Sequence, residues 1–410
     1  MSRARSVLSL SMRKLVRRRR LFVILPLIFT AGVFLLLYNF FPPSPHTKEV
    51  AEVNQECKHL SLSDASSSEK LQCWEKLMQL AVKHEGLKGA YEIFGKLYQR
   101  EPLFAQNCHD FNHILGEAAY ERFIQGKDFF VTGETIFCSF GFYHGFMQSL
   151  VGETGDIDRA REFCSYVDAR LKGKTTHAGL ACYHGIGHGF IDEHYQKAQG
   201  DERAMVKPAL KLCEEVSQTG EQLFFCATGV FDSISYAYYN HLYGLTMSQN
   251  DPLWLCREQP ERYKLPCYAD SMPGLLWLGG HDLARSAAYI EDVQEDIYAI
   301  RAMRSLADDS VRFFQDRKDY ARPVFICRSL QKRLKEACIS GLAGGYMQFA
   351  QPRYEYIDGL KFCRAKILTT EERVTCFKEV IGYAKQLYPR EKLHQICKKI
   401  DEPYQIFCRE

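Results

Sequence analysis

The chain has 410 residues, a formal charge of +3 and sixteen cysteines. That length allows one large or two ordinary domains, and the near-balance of charge gives no electrostatic footprint for nucleic acid. Sixteen cysteines in a chain long enough to build an ordinary core point to disulfide pairing in an oxidising compartment rather than to scattered thiols.

Taken in order, residues 1–20 carry Arg3, Arg5, Arg13, Lys14, Arg17, Arg18, Arg19 and Arg20 and no acid. Residues 21–41 form an uncharged apolar run broken only by Pro26, Thr30, Gly32 and Asn39, long enough to span a bilayer as a helix. The Phe40-Phe41-Pro42-Pro43 that ends it offers no small-x-small cleavage site, which favours a signal anchor over a removable signal peptide. The expectation is a single-pass type II membrane protein. Its basic N-terminus would be cytoplasmic and its main domain would lie in a secretory lumen, at the cell surface or in a periplasm. Residues 42–68, with Pro42, Pro43, Pro45 and a serine-rich end, read as a stem.

Residues 69–410 are helical in character. Stretches such as 69–83, 290–314 and 370–387 place apolar residues at three-and-four spacing, and no sustained alternation appears. The expected class is all-α: disulfide-stapled helical-hairpin repeats, α-solenoid-like, after one N-terminal transmembrane helix. A His-rich half covers about 69–250 and a second half about 251–410.

The repeat is carried by two alternating kinds of cysteine. The first sits late in an amphipathic segment, as in Leu212-Cys213-Glu214 or Ile326-Cys327-Arg328. The second opens a segment of aromatic and small residues, as in Cys182-Tyr183-His184-Gly185 or Cys338-Ile339-Ser340-Gly341. If each repeat is a helical hairpin, the two cysteines meet across its turn. Closing a loop of about 15 residues then stabilises by roughly 3 kcal/mol. Six bridges follow from the repeat: Cys164 with Cys182, Cys213 with Cys226, Cys256 with Cys267, Cys327 with Cys338, Cys363 with Cys376, and Cys397 with Cys408. Elimination adds Cys57 with Cys73 and Cys108 with Cys138. The long step from Cys267 to Cys338 implies one or two inserted helices around 282–320. Glycines three and seven residues after Cys138, Cys182 and Cys338 suggest close helix approach or room for a ligand. In outline the chain resembles disulfide-bonded helical-repeat proteins such as cysteine-rich relatives of the tetratricopeptide class. The resemblance is one of architecture: the Trp, Tyr and Pro pattern of that repeat is absent, and it implies no function here.

Aligned on the second kind of cysteine, position +6 is His144, then His188, then Asp232, and becomes Pro273, Gly344 and Gly382 in later repeats. Two segments add a histidine one turn apart: His109 with His113, and His184 with His188. Glu117 and Asp192 follow one turn later. Residues four apart share a helix face, so His-His-carboxylate stripes result. Imidazoles from adjacent helices can meet at one ion, and this ligand set suits Zn, Fe, Cu or Mn. The expected metal ligands are His109, His113, His144, His184 and His188. Asp110, Glu117, Asp192 and Asp232 are candidates for base or supporting acceptor, and Tyr143, Phe146 and Tyr183 for a substrate groove.

No CxxC, CxxCH, HExxH, GxSxG, P-loop or dinucleotide fingerprint occurs. None of the six asparagines starts a glycosylation sequon. Two readings stand at this level. One is a membrane-anchored, metal-dependent enzyme, a hydrolase or oxidoreductase. The other is a non-catalytic membrane-tethered scaffold that binds a protein or peptide partner in the groove of the repeats. A third arrangement, histidines satisfied inside a hydrogen-bonded polar core, needs no ligand at all.

Overall fold

The computed structural model describes residues 45–63, 65–127, 131–175, 177–194, 198, 200–314, 318–351 and 353–409. It falls into two compact units, Met1–Glu56 and Cys57–Glu410. Every regular element among the described residues is helical. A helix over Pro45–Ser61 occupies much of the stretch read as a stem.

In the large unit the helices that matter for the site are α1 (Ser67–Arg100), α2 (Cys108–Ile124), α3 (Phe137–Thr154), α4 (Ile157–Leu171), α5 (Ala178–His194), α6 (Glu202–Val216), α7 (Gly220–Asn240), α8 (Glu261–Asp270), α9 (Asp296–Ser310), α10 (Lys332–Gln348) and α11 (Thr370–Leu387). Local chemistry fixes several starts. Capping boxes pair Ser66 with Glu69, Thr219 with Gln222 and Thr369 with Glu372, while Asp156 and Asp201 cap α4 and α6.

All sixteen cysteines are paired, in the eight pairs named above, with Cα separations from 5.3 to 6.1 Å. Each bridge ties one helix of a hairpin to the next, so the helix packing is consistent with repeats. The inserted segment holds two helices, Leu283–Glu291 and α9.

The second helices of the hairpins form a row. Helices α2, α3, α5, α7, α8, α9, α10 and α11 each pack on the next. Glycine lets them approach. A Cβ added at Gly141, Gly185 or Gly229, each three residues after its cysteine, would stand 2.5, 2.3 or 1.9 Å from the carbonyl oxygen of His109, Tyr143 or His184. No real side chain fits there, so close backbone contact offsets the usual cost of helical glycine. Helices α4 and α6 pack against this row and contribute nothing to the pocket it encloses.

The ends of the row meet. The Tyr98 hydroxyl donates to Phe349 O at 3.4 Å, and Thr175 Oγ1 donates to Gln386 O at 2.8 Å. Arg353 pairs with Glu134 and lies over the Phe137 ring. The row therefore surrounds a pocket of about 770 Å³ lined from residue 106 to residue 387. This corrects the open solenoid groove and the protein or peptide partner assigned to it: among the described residues the inner faces line a partly open pocket of small-molecule size, and nothing there supports a groove for a partner chain.

The membrane anchor is corrected too. Residues 21–41, where it was expected, lie outside the described residues, and no described helix is long and apolar enough to cross a membrane. The longest, α1, carries Lys and Glu along its length, and the apolar faces of the others are covered by neighbouring helices. The single-pass topology, the signal anchor, the membrane partner and the compartment drawn from them are therefore not carried further.

Candidate metal centre

The centre is built where α3, α5 and α7 approach most closely. On α5, His184 and His188 are one turn apart and share a face. On α7, Thr228 and Asp232 repeat that spacing, and Gly229 between them lets α7 touch the carbonyl of His184. From α3, His144 enters the same space, its ring centroid 4.6 Å from those of both His184 and His188.

One ligand atom from each of His144, His184, His188 and Asp232 lies within 4.8 Å of all the others, so these four groups can hold a metal ion. The tightest part is a triangle. His188 Nε2 is 3.2 Å from His184 Nε2 and 3.2 Å from Asp232 Oδ2, and His184 Nε2 is 3.4 Å from the same oxygen. Ligands about 2.1 Å from a tetrahedral ion stand ~3.4 Å apart along each edge.

The surrounding groups aim these atoms. Thr228 Oγ1 donates its hydrogen to Phe225 O at 2.7 Å, so toward His184 Nδ1, 2.8 Å away, it acts as acceptor. This arrangement suits a proton on Nδ1 of His184 and leaves Nε2 as the atom it can offer to an ion, the usual support for a metal-binding imidazole. Burial holds His144 well below the ordinary imidazole range, and the neighbouring imidazoles add to the effect. Burial also lowers His188, to about 4, although its bond to Asp232 opposes the shift. Both rings thus keep their lone pairs near neutral pH. Burial alone would raise the Asp232 carboxyl, but its contacts with the His188 and His184 imidazoles outweigh it and hold the group well below the ordinary carboxylate range.

The other expected site residues are distributed around this core. His109 stacks edge-on against His144 with centroids 4.9 Å apart, and its Nδ1 lies 3.0 Å from Cys138 O. It lines the pocket beside the four but is not one of them. His113 is turned away: Nδ1 is 3.0 Å from Glu117 and Nε2 is 2.8 Å from Gln148. Burial lowers His113, yet Glu117 and Asp110 together raise it overall. Glu117 is half exposed and engaged with His113. Asp192 lies on α5, its side chain outside what is described. Tyr143, Phe146 and Tyr183 are core residues rather than groove residues; the Tyr143 hydroxyl is bonded to Thr135 at 2.8 Å. They are neighbours in sequence of His144 and His184, so the helix turns them to other faces.

Sequence reasoning missed Thr228 and the far wall of the pocket: Asp270, Arg301, Arg304, Arg312 and Tyr383. For Thr228 a signal existed. It occupies the position two after Cys226 that His184 occupies after Cys182. Set against known protein families, curated proteins and solved structures, the chain matches none.

Proposed function

We propose that His144, His184, His188 and Asp232 bind one divalent transition metal, and that the chain is a metal-dependent enzyme acting on a small molecule in the pocket beside them. The observation that carries this reading is the triangle of His184 Nε2, His188 Nε2 and Asp232 Oδ2 at 3.2 to 3.4 Å, with Thr228 Oγ1 2.8 Å from the opposite nitrogen of His184. Three imidazoles and one carboxylate are borderline donors, suited to Zn, Fe, Cu or Mn.

When bound, the metal would act as a Lewis acid and lower the pKa of a bound water. The chain's own residues do the rest. Thr228 fixes the tautomer and orientation of His184. Asp232 supplies the negative charge that offsets the ion. His109, with Nδ1 engaged by Cys138 O, leaves Nε2 for a hydrogen bond to a molecule in the pocket. Phe224, Phe225, Phe313 and Phe314 give part of the pocket wall an apolar lining.

The test is elemental analysis of the purified chain after equilibration with Zn, Fe(II), Mn and Cu in turn, beside the variant His184→Ala/His188→Ala. The expected result is one equivalent of one metal in the parent chain, lost in the variant. Failure of every metal to remain bound to a folded parent would leave the four groups as a hydrogen-bonded polar core.

A further inference from the structure

The pocket has a second polar region, and the metal reading leaves it without a role. Arg301 on α9 and Arg312 on the following 3-10 turn, Val311–Phe313, both line the pocket. Their Nε atoms are buried and have no hydrogen-bond partner among the described residues. A guanidinium stays charged at any physiological pH and offers five donors in a rigid fork. A buried donor of this kind without an acceptor is costly and calls for an explanation. Arg304, the third arginine of the pocket wall, differs because Glu379 pairs with it.

We infer that Arg301 and Arg312 form an oxyanion subsite, which holds a carboxylate or phosphate group of the small molecule presented to the metal centre. Orientation of the molecule toward the metal rests on the metal reading; the subsite itself stands on the two arginines. Planar, bidentate donation to a carboxylate or phosphate is what the guanidinium fork does best. The volume of about 770 Å³ suits a small molecule and excludes a folded partner. Phe224, Phe225, Phe313 and Phe314 give part of the wall an apolar surface beside polar residues such as Gln106, Asn107 and Gln386, so the ligand carries its oxyanion on a body with both apolar and polar faces.

The nearby acids do not fill the same role. Asp270 and Asp309 also line the pocket, but neither forms an ion pair with these arginines among the described residues. Burial raises both carboxyls, Asp270 to about 7 and Asp309 well above the ordinary value, despite the attraction of Arg301 and Arg312 respectively.

The experiment is calorimetric titration of the full chain, metal-loaded and EDTA-treated, with inorganic phosphate, benzoate and, as the uncharged control, benzyl alcohol. At least one of the two anions is expected to bind the EDTA-treated parent. Arg301→Gln and Arg312→Gln should each weaken that binding at least tenfold and leave benzyl alcohol unaffected. Arg301→Lys and Arg312→Lys, which keep the charge and lose the fork, serve if either Gln variant fails to fold, and should also weaken it. A response to phosphate alone or benzoate alone identifies the group recognised. Absence of anion binding to the EDTA-treated parent, or binding indifferent to all four substitutions, overturns the subsite. Loss of metal in His184→Ala/His188→Ala with unchanged anion binding separates the two proposals, because each is then read on its own partner.

Discussion

Two regions of the helix row use one packing device and carry different chemistry. In the first, Gly141 and Gly145 of α3 press on the carbonyls of His109 and His113 of α2; an added Cβ would lie 2.5 and 2.1 Å from them. In the second, Gly341 and Gly345 of α10 press on the carbonyls of Arg304 and Asp308 of α9, at 2.1 and 2.3 Å. Helix α9 thus stands to α10 as α2 stands to α3. It is a repeat helix without a cysteine, which accounts for the long step between Cys267 and Cys338. The side chains then diverge. In the second region Tyr383 donates to Asp308 at 2.7 Å, Ser340 donates to Glu379 at 2.7 Å, and Arg304 pairs with Glu379. That network closes largely on itself. The imidazoles built on α3 and α5 instead converge with Asp232 on one point. Glycine sets how closely the helices approach, and the residues beside it decide whether the contact becomes a ligand set or an internal polar network.

The comparison can be broken most severely at Asp308. Burial pushes its carboxyl up to about 7, against the opposing bond from Tyr383. The folded state therefore holds a proton that the unfolded chain releases near pH 4. Stability should fall as pH rises from about 4 to 7, by roughly 4 kcal/mol in all. Asp308→Asn mimics the protonated form and can still accept from Tyr383. Urea unfolding of this variant should show a shallower slope than the parent, the remainder belonging to Asp270 and Asp309, and greater stability than the parent at pH 8; an unchanged slope would remove Asp308 from the pH dependence.

Next in size is the shared device itself. Gly229→Ala and Gly341→Ala each drive a Cβ into a backbone carbonyl, at 1.9 and 2.1 Å, and should each cost about 3 kcal/mol. Only Gly229→Ala should also weaken metal binding, since it separates α7 from α5. Equal metal affinity in the two variants would mean that the first region does not depend on this approach.

Thr228→Val tests the orientation of His184 at nearly constant volume. Metal affinity should fall ten- to a hundredfold, the typical effect of removing such a support, while Arg304 and Glu379 in the second region supply no counterpart. Competition with a chelator of known affinity measures it. The smallest effect belongs to Gly382→Ala. Nothing lies within 4 Å of the added Cβ, so thermal unfolding should show neutrality or a gain of up to about 1 kcal/mol. A loss there would indicate a close contact that the packing does not show.

Much of this was legible in the chain. The two kinds of cysteine give the hairpins and six of the bridges, because a disulfide across a short turn depends on local spacing, and elimination gives the pairs Cys57–Cys73 and Cys108–Cys138. The +6 position led to His144, His188 and Asp232, three of the four groups that converge, and the HxxxH spacing led to the fourth, His184. The same spacing misled at His113, which shares a stripe with His109 yet turns to Glu117 and Gln148. It also offered nothing for Arg301, on a helix whose repeat identity is hidden by its missing cysteine, or for Arg312, on the 3-10 turn that follows it.

The sequence by itself determined the helices, their order, the bridges that join them and the faces on which histidines could gather. The tertiary structure decided that the row closes on itself through Tyr98, Thr175 and Arg353, that three histidines and one aspartate meet, and that two arginines share their pocket. Periodicity is a property of neighbours along the chain, so it survives in the sequence. Which faces meet depends on the rotation of each helix about its axis, and here that is set by the glycine contacts between residues as far apart as Tyr143 and Gly185.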